Sequence, residues 1–134
     1  MPLAQNVREW NGRAWNQTNH DLDRVFQRDG ISYGTEIKNR LSYIPRDEFN
    51  IKLQMCRTLE LIPLFIARQM PKSYILEVTR QDGFCLLMGY QFYPFAHQSL
   101  AKIVRDNLEL PVDCPSRIAD GTFQRFLNWH LKQI

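Results

Sequence analysis

Asp23, Glu36 and Lys38 have the types and spacing to hold a divalent metal against a phosphodiester. Alternate residues of a strand share a face, so Glu36 and Lys38 point the same way if the segment around them is extended. Asp29-Gly30 is a strong two-residue hairpin signal, and the register that it sets pairs Arg24 with Thr35 and Asp23 with Glu36. Two carboxylates opposed at roughly 5 Å repel and weaken a sheet unless something positive lies between them. The pair therefore reads as a site rather than as an ordinary charged face. In the same register Lys38 falls opposite Asp21, which leaves its ammonium within reach of both acids. Hard oxygen donors of this kind select Mg²⁺ or Mn²⁺, which keep several waters and bind through one or two carboxylates plus a substrate phosphate.

The elements that must position these groups follow from periodicity. Segments 21–26 and 31–38 form the hairpin. A helix is expected over 46–61, with Pro45 near its start and Asp47 and Glu48 in its first turn. Phe49, Leu53, Cys56 and Leu59 form its apolar stripe, with Ile51 and Met55 to one side and Lys52 and Gln54 flanking it. Segment 62–67 is too short for a helix and reads as a buried strand starting beside Pro63. A second helix over 70–81 is opened by Pro71 and closed by Asp82-Gly83, and a further strand follows over 84–92. Strands bracketing helices of this length imply right-handed parallel crossovers. After Pro94 helices are expected over 98–107 and 122–132, joined by a loop through Pro111 and Pro115. The first nineteen residues show no sustained period; they read as an arm that packs Trp10 and Trp15, or as one short helix over 7–15 interrupted by Gly12.

With 134 residues, 44% hydrophobic and 23% charged, the chain has the composition of one ordinary globular domain, 1–134, divided into an arm (1–19), a core (20–94) and a helical C-terminal extension (95–134). Such a length buries roughly two thirds of its unfolded surface. Three cysteines without a CxxC pair read as reduced packing residues, and no apolar run is long enough for a membrane span, so a cytoplasmic protein is expected. A net charge of +3 is compatible with a polyanionic partner and decides nothing alone.

An acid in one strand, a Glu-x-Lys in the next, and then a helix and a strand resemble the PD-(D/E)XK nuclease superfamily over about residues 20–68. The fold that this resemblance implies is α/β, a restriction-endonuclease-like mixed sheet flanked by helices. The activity that it implies is Mg²⁺-dependent hydrolysis of phosphodiester bonds, with Mn²⁺ able to substitute, in DNA rather than RNA. Asp23 and Glu36 would be the metal-binding acids, the backbone carbonyl of Ile37 a further ligand, and Lys38 the residue that positions or activates water. A polar residue on the following helix often joins such sites; Gln54 is the first choice and Lys52 the second. The alternative is a catalytically inactive nucleic-acid-binding or assembly module on the same fold. Similar nucleases place a helix before the first acid, whereas only about twenty residues precede Asp23, with Glu9 a weak contributor; a homodimer could complete such a site.

Arg24, Arg40 and Arg46, with Arg28 and Lys72, are candidate phosphate contacts, and Tyr43, Trp10 and Trp15 candidate base-stacking platforms. His20 beside the hairpin is a possible substrate contact. Asp21 is expected to pair with Lys38, to be solvated or to add an acidic ligand. The aromatic run 84–95, including Tyr90 and Tyr93, is assigned to the core, and Gly34 to a close backbone approach.

Overall fold

Two Asx-Gly dipeptides shape the N-terminal part of the chain. Asn11-Gly12 (φ 52° and 82°) and Asp29-Gly30 (φ 52° and 78°) both hold two successive left-handed residues, the backbone that a tight I′ hairpin requires. In the computed structural model, which describes residues 3–89, 91–92, 95–109, 112–113 and 120–134, the first dipeptide joins β2 (Glu9–Trp10) to β3 (Arg13–Ala14). It lies after β1 (Leu3–Val7). The second joins β4 (Leu22–Arg28) to β5 (Ile31–Lys38). Of the two readings for the first nineteen residues, the short helix over 7–15 is thus corrected to a strand and a small hairpin. For the tryptophans, packing on the body holds over base stacking: Trp15 is a core residue 1% exposed, and Trp10 packs on the same cluster.

The other elements come in the expected order. Helix α1 (Arg46–Thr58) leads to β6 (Ile62–Ala67), and α2 (Lys72–Arg80) leads to β7 (Phe84–Leu87). The strand expected over 84–92 is split: β8 (Gln91–Phe92) leaves the main sheet and pairs in parallel with β9 (Val112–Asp113). Gly89, at φ 80°, lies between the two pieces. A single 3-10 turn (Phe95–His97) precedes α3 (Gln98–Leu108), and α4 (Asp120–Leu131) ends the fold. Tyr90, Tyr93, Pro111, Cys114 and Pro115 lie outside the described residues.

The main sheet has the order β1-β4-β5-β6-β7. Its first three strands are antiparallel neighbours, and β5, β6 and β7 are parallel. Helices α1 and α2 cover one face. There Phe49, Leu53, Tyr74 and Val78 pack on Phe65 and Ala67, and Met55, Cys56 and Leu59 pack on Val25. Fully burying Phe49 contributes about 1.5–3 kcal/mol, and its ring stacks on Tyr74 at 4.1 Å. Helix α4 covers the other face, where Phe126 joins Tyr33, Leu64 and Leu86. Residues of β5 therefore alternate: Gly34, Glu36 and Lys38 lie under α1, and Tyr33, Thr35 and Ile37 lie on the α4 side.

The two glycines in tight contact act through space rather than φ. A Cβ on Gly34 would come 2.8 Å from Cys56 Sγ, so the close approach expected there is that of α1 to the sheet. At the end of α2 the left-handed position is held by Asp82 (φ 59°) and not by Gly83. A Cβ on Gly83 would lie 2.5 Å from the carbonyl oxygen of Pro63. Gly83→Ala must displace backbone between β6 and β7, and is expected to cost about 1–3 kcal/mol or more of unfolding free energy in urea titrations.

Helix α4 is tied to the hairpin by a chain of hydrogen bonds that runs from buried Tyr33 and His130 out to exposed Asp29. Tyr33 Oη lies 2.5 Å from His130 Nδ1, and His130 Nε2 lies 2.7 Å from Asp29 Oδ2. Both Tyr33 and His130 are fully buried. Burial raises the Tyr33 hydroxyl to about 12 from an ordinary 10.0. Between these values the unfolded chain ionises Tyr33 and the folded chain does not, so this contribution to stability is complete below pH 10 and is lost as pH rises toward 12. Urea midpoints of Tyr33→Phe should lack that alkaline decline. At neutral pH the variant is expected to lose about 1–3 kcal/mol, because His130 Nδ1 stays buried without its donor.

Candidate metal centre at the mouth of the hairpin

The β4–β5 ladder has the register that the Asp29-Gly30 turn implies, from Arg28–Ile31 to Arg24–Thr35. Beyond it the two acids replace main-chain pairing with side-chain pairing. The Asp23 N–H donates to Glu36 Oε1 at 3.0 Å, and the Ile37 N–H donates to Asp23 Oδ2 at 2.9 Å. On the other flank β1 pairs through Gln5–Arg24 and Val7–Leu22; Asn6, left-handed at φ 51°, and Asp23 are not among the paired positions. Asp23 thus sits where both of its ladders open, with each carboxylate fixed by an N–H of the facing strand.

The positive charge between the acids and α1 is Lys52. Its Nζ lies 2.8 Å from Glu36 Oε1 and also donates to the Asp21 carbonyl. Both side chains of this ion pair are nearly inaccessible, 6% exposed for Lys52 and 1% for Glu36. Lys38, expected beside the carboxylates and opposite Asp21, is instead bonded to Glu48 at 2.7 Å. Glu48 and Lys52 are one helical turn apart, so α1 offers the β5 face an acid and a base in reverse order to Glu36 and Lys38. The strand's bases and acids find their opposites on the helix, and the Asp21–Lys38 pairing is therefore not made.

Burial pushes the Glu36 carboxyl above its ordinary value; the hydrogen bond and charge of Lys52 offset part of this, and the Asp23 charge adds to it. Glu48 moves the other way. Its burial alone would raise it, but the hydrogen bond and charge of Lys38, aided by Lys52 and Arg40, hold it below the usual carboxylate range. Glu36 Oε2 is buried and accepts no hydrogen bond. An oxygen in that condition calls for a proton, a water or a cation.

These groups fit a Mg²⁺ ion of modest demand. The donors are the carboxylate of Asp23 and the partnerless oxygen of Glu36, both hard; from Ile37 it is the N–H that meets Asp23. Among the described residues no group of three or more His, Cys, Asp or Glu converges, so waters and substrate would complete the shell, as they do for this ion.

Other candidate residues are placed differently. Gln54 is exposed and lines a cleft of about 270 Å³ between α1 and α2, with Asn50, Arg57 and Arg80 among its neighbours. Lys52, the second choice, is the helix residue that reaches the acids. Arg24 is half-buried and donates to the Asp23 carbonyl at 2.8 Å. Arg46 is bonded to Glu77 at 2.7 Å and lies over the rings of Tyr74 and Phe49, where it bridges the two helices. Arg40 and Tyr43 are exposed on the loop between β5 and α1, His20 is held by Thr18, and Glu9 is exposed on β2. Arg28 is half-buried beside Asp29, and Lys72 is exposed at the start of α2.

The fold and this cluster define an α/β protein which, among the described residues, has a mixed five-stranded sheet, four α-helices and a buried acid–base group at the carboxyl ends of its parallel strands. Among the described residues no helix is long and apolar enough to cross a membrane. No family model, no curated protein and no solved structure matches the chain.

Proposed function

We propose that the protein is a Mg²⁺-dependent nuclease that hydrolyses phosphodiester bonds in DNA, with Asp23 and Glu36 as its metal ligands. The observation that carries this reading is the Glu36 carboxylate: one oxygen is fixed by Lys52 and the Asp23 N–H, and the other is buried without a partner beside a second acid. The order of elements, an antiparallel meander followed by a helix and a parallel strand, supports the PD-(D/E)XK resemblance. Mg²⁺, when bound, polarises a phosphoryl oxygen and acidifies a water.

The chain's own residues do the rest. The Ile37 N–H orients Asp23, and Lys52 orients Glu36. Lys52 also brings a compact positive charge to the Glu36 carboxylate, where it would offset negative charge on a bound phosphate. In this reading Lys52 is the lysine that meets the Glu36 carboxylate, and Lys38 is held by Glu48. A cytoplasmic setting and a homodimer belong to the same proposal.

A second reading has its own observation. Both lysines already neutralise both glutamates, so the group would also hold α1 on the sheet in an inactive binding module. Cleavage of end-labelled DNA in Mg²⁺, abolished by EDTA, separates the two. A purified, folded protein that leaves single-stranded, duplex and junction DNA intact would overturn the nuclease reading.

A further inference from the structure

The segment 39–45 joins the metal-centre strand β5 to α1, and it is braced at both ends. Arg68, just past β6, donates to the Leu41 carbonyl at 2.8 Å. Tyr74 donates its hydroxyl to the Ile44 carbonyl at 3.0 Å, and Ile44 itself is buried. Between these anchors Tyr43 stands 52% exposed. About half of this large aromatic faces solvent from a pinned loop, whose backbone has little freedom left to lose on binding.

Arg40 precedes it in the chain and Arg46 follows, with Asp47 and Glu48 opening α1. Arg40 is exposed on the same segment, close enough to Glu48 to depress its carboxyl. The Arg68 Nε is buried without a hydrogen-bond partner. A guanidinium on the same segment as an exposed ring is a combination that holds an unpaired nucleotide, with phosphate on the cation and base on the ring. A duplex keeps its bases stacked on one another and offers no free face to Tyr43.

The geometry points to a single-stranded nucleic acid as the ligand of this edge: we propose that Tyr43 stacks an unpaired base while Arg40 holds the adjacent phosphate, delivering the strand to Asp23 and Glu36. Cleavage of the delivered strand rests on the nuclease reading, whereas its binding is tested without that reading.

Fluorescence anisotropy of the full chain in EDTA, with a labelled oligothymidylate and with a duplex of mixed sequence, reads the two affinities in the absence of cleavage. The single strand is expected to bind more tightly. Tyr43→Ala should weaken single-strand binding roughly five- to a hundredfold and leave duplex binding within about twofold, and Tyr43→Phe should restore it. Arg40→Ala should weaken binding and lower the salt slope by about one. Equal affinity for the two ligands, or a Tyr43→Ala variant that binds the single strand normally, would overturn the proposal. Mg²⁺-dependent cleavage of duplex with no single-strand preference would defeat it while sparing the nuclease reading. Tyr43-dependent binding without cleavage would do the reverse.

Discussion

Lys52→Ala is expected to lower the unfolding free energy by about 3–5 kcal/mol, because it leaves the Glu36 carboxylate inside the protein with no counter-charge. Lys52 and Glu36 are both nearly inaccessible, so solvent cannot take over the lost interaction. The same change orphans the Asp21 carbonyl, which Lys52 also serves. Burial already raises the Glu36 carboxyl, and without Lys52 it rises further. An acid whose folded value is raised contributes stability below its unfolded value and loses it as pH climbs through the folded value. The penalty of Lys52→Ala should therefore be smaller near pH 5 than near pH 8, as read from urea titrations at both. Glu36→Met combined with Lys52→Met should recover much of the loss, since an apolar pair of similar volume avoids burying either charge. A Lys52→Ala penalty below about 1 kcal/mol at both pH values would show that the pair is not buried as described.

Asp23→Asn should leave the fold nearly intact and reduce cleavage by about a thousandfold or more, several kcal/mol of barrier. Asparagine keeps an oxygen for the Ile37 N–H, and Asp23 is only half-buried, so the structural cost is small. What disappears is one of two anionic ligands. Lys38→Ala is expected to affect cleavage far less, because its ammonium is bonded to Glu48 and not to the acids. Initial rates on labelled DNA, with circular dichroism to confirm folding, would rank the variants. A Lys38→Ala loss equal to that of Asp23→Asn would return the catalytic lysine to the strand.

The hairpin was legible because its information is local. Asp29-Gly30 dictates a two-residue turn, the turn dictates the register, and the register makes Asp23 and Glu36 neighbours. Asn11-Gly12 carries the same signal but is flanked by strands of two residues each, too short to show alternation, and Gly12 therefore reads as a helix interruption. The break in the strand over 84–92 was hidden by apolar residues on both sides of Gly89, with Gln91 the one polar exception.

The partner of each charge was less legible, since it depends on how a helix is rotated over a sheet. Gln54 is two residues from Lys52, roughly 200° around the helix, so only one of the two can face the acids. A signal for Lys52 was present. Glu48, Lys52 and Cys56 fall at four-residue spacing on one line of α1, and Cys56 belongs to the apolar stripe, so a lysine on that line must be buried against an acid. Lys38 faces α1 as strand alternation requires, but which acid it meets is decided by Glu48 on the helix.

The central claim is that Asp23 and Glu36 hold one divalent ion. Titration of Mn²⁺ into the protein, followed by electron paramagnetic resonance of the free ion with and without a short DNA strand, tests it most directly. One bound ion per chain is expected, weakened at least about tenfold in Asp23→Asn while the circular dichroism spectrum is unchanged. No bound ion under either condition, or one that Asp23→Asn binds as tightly, would contradict it.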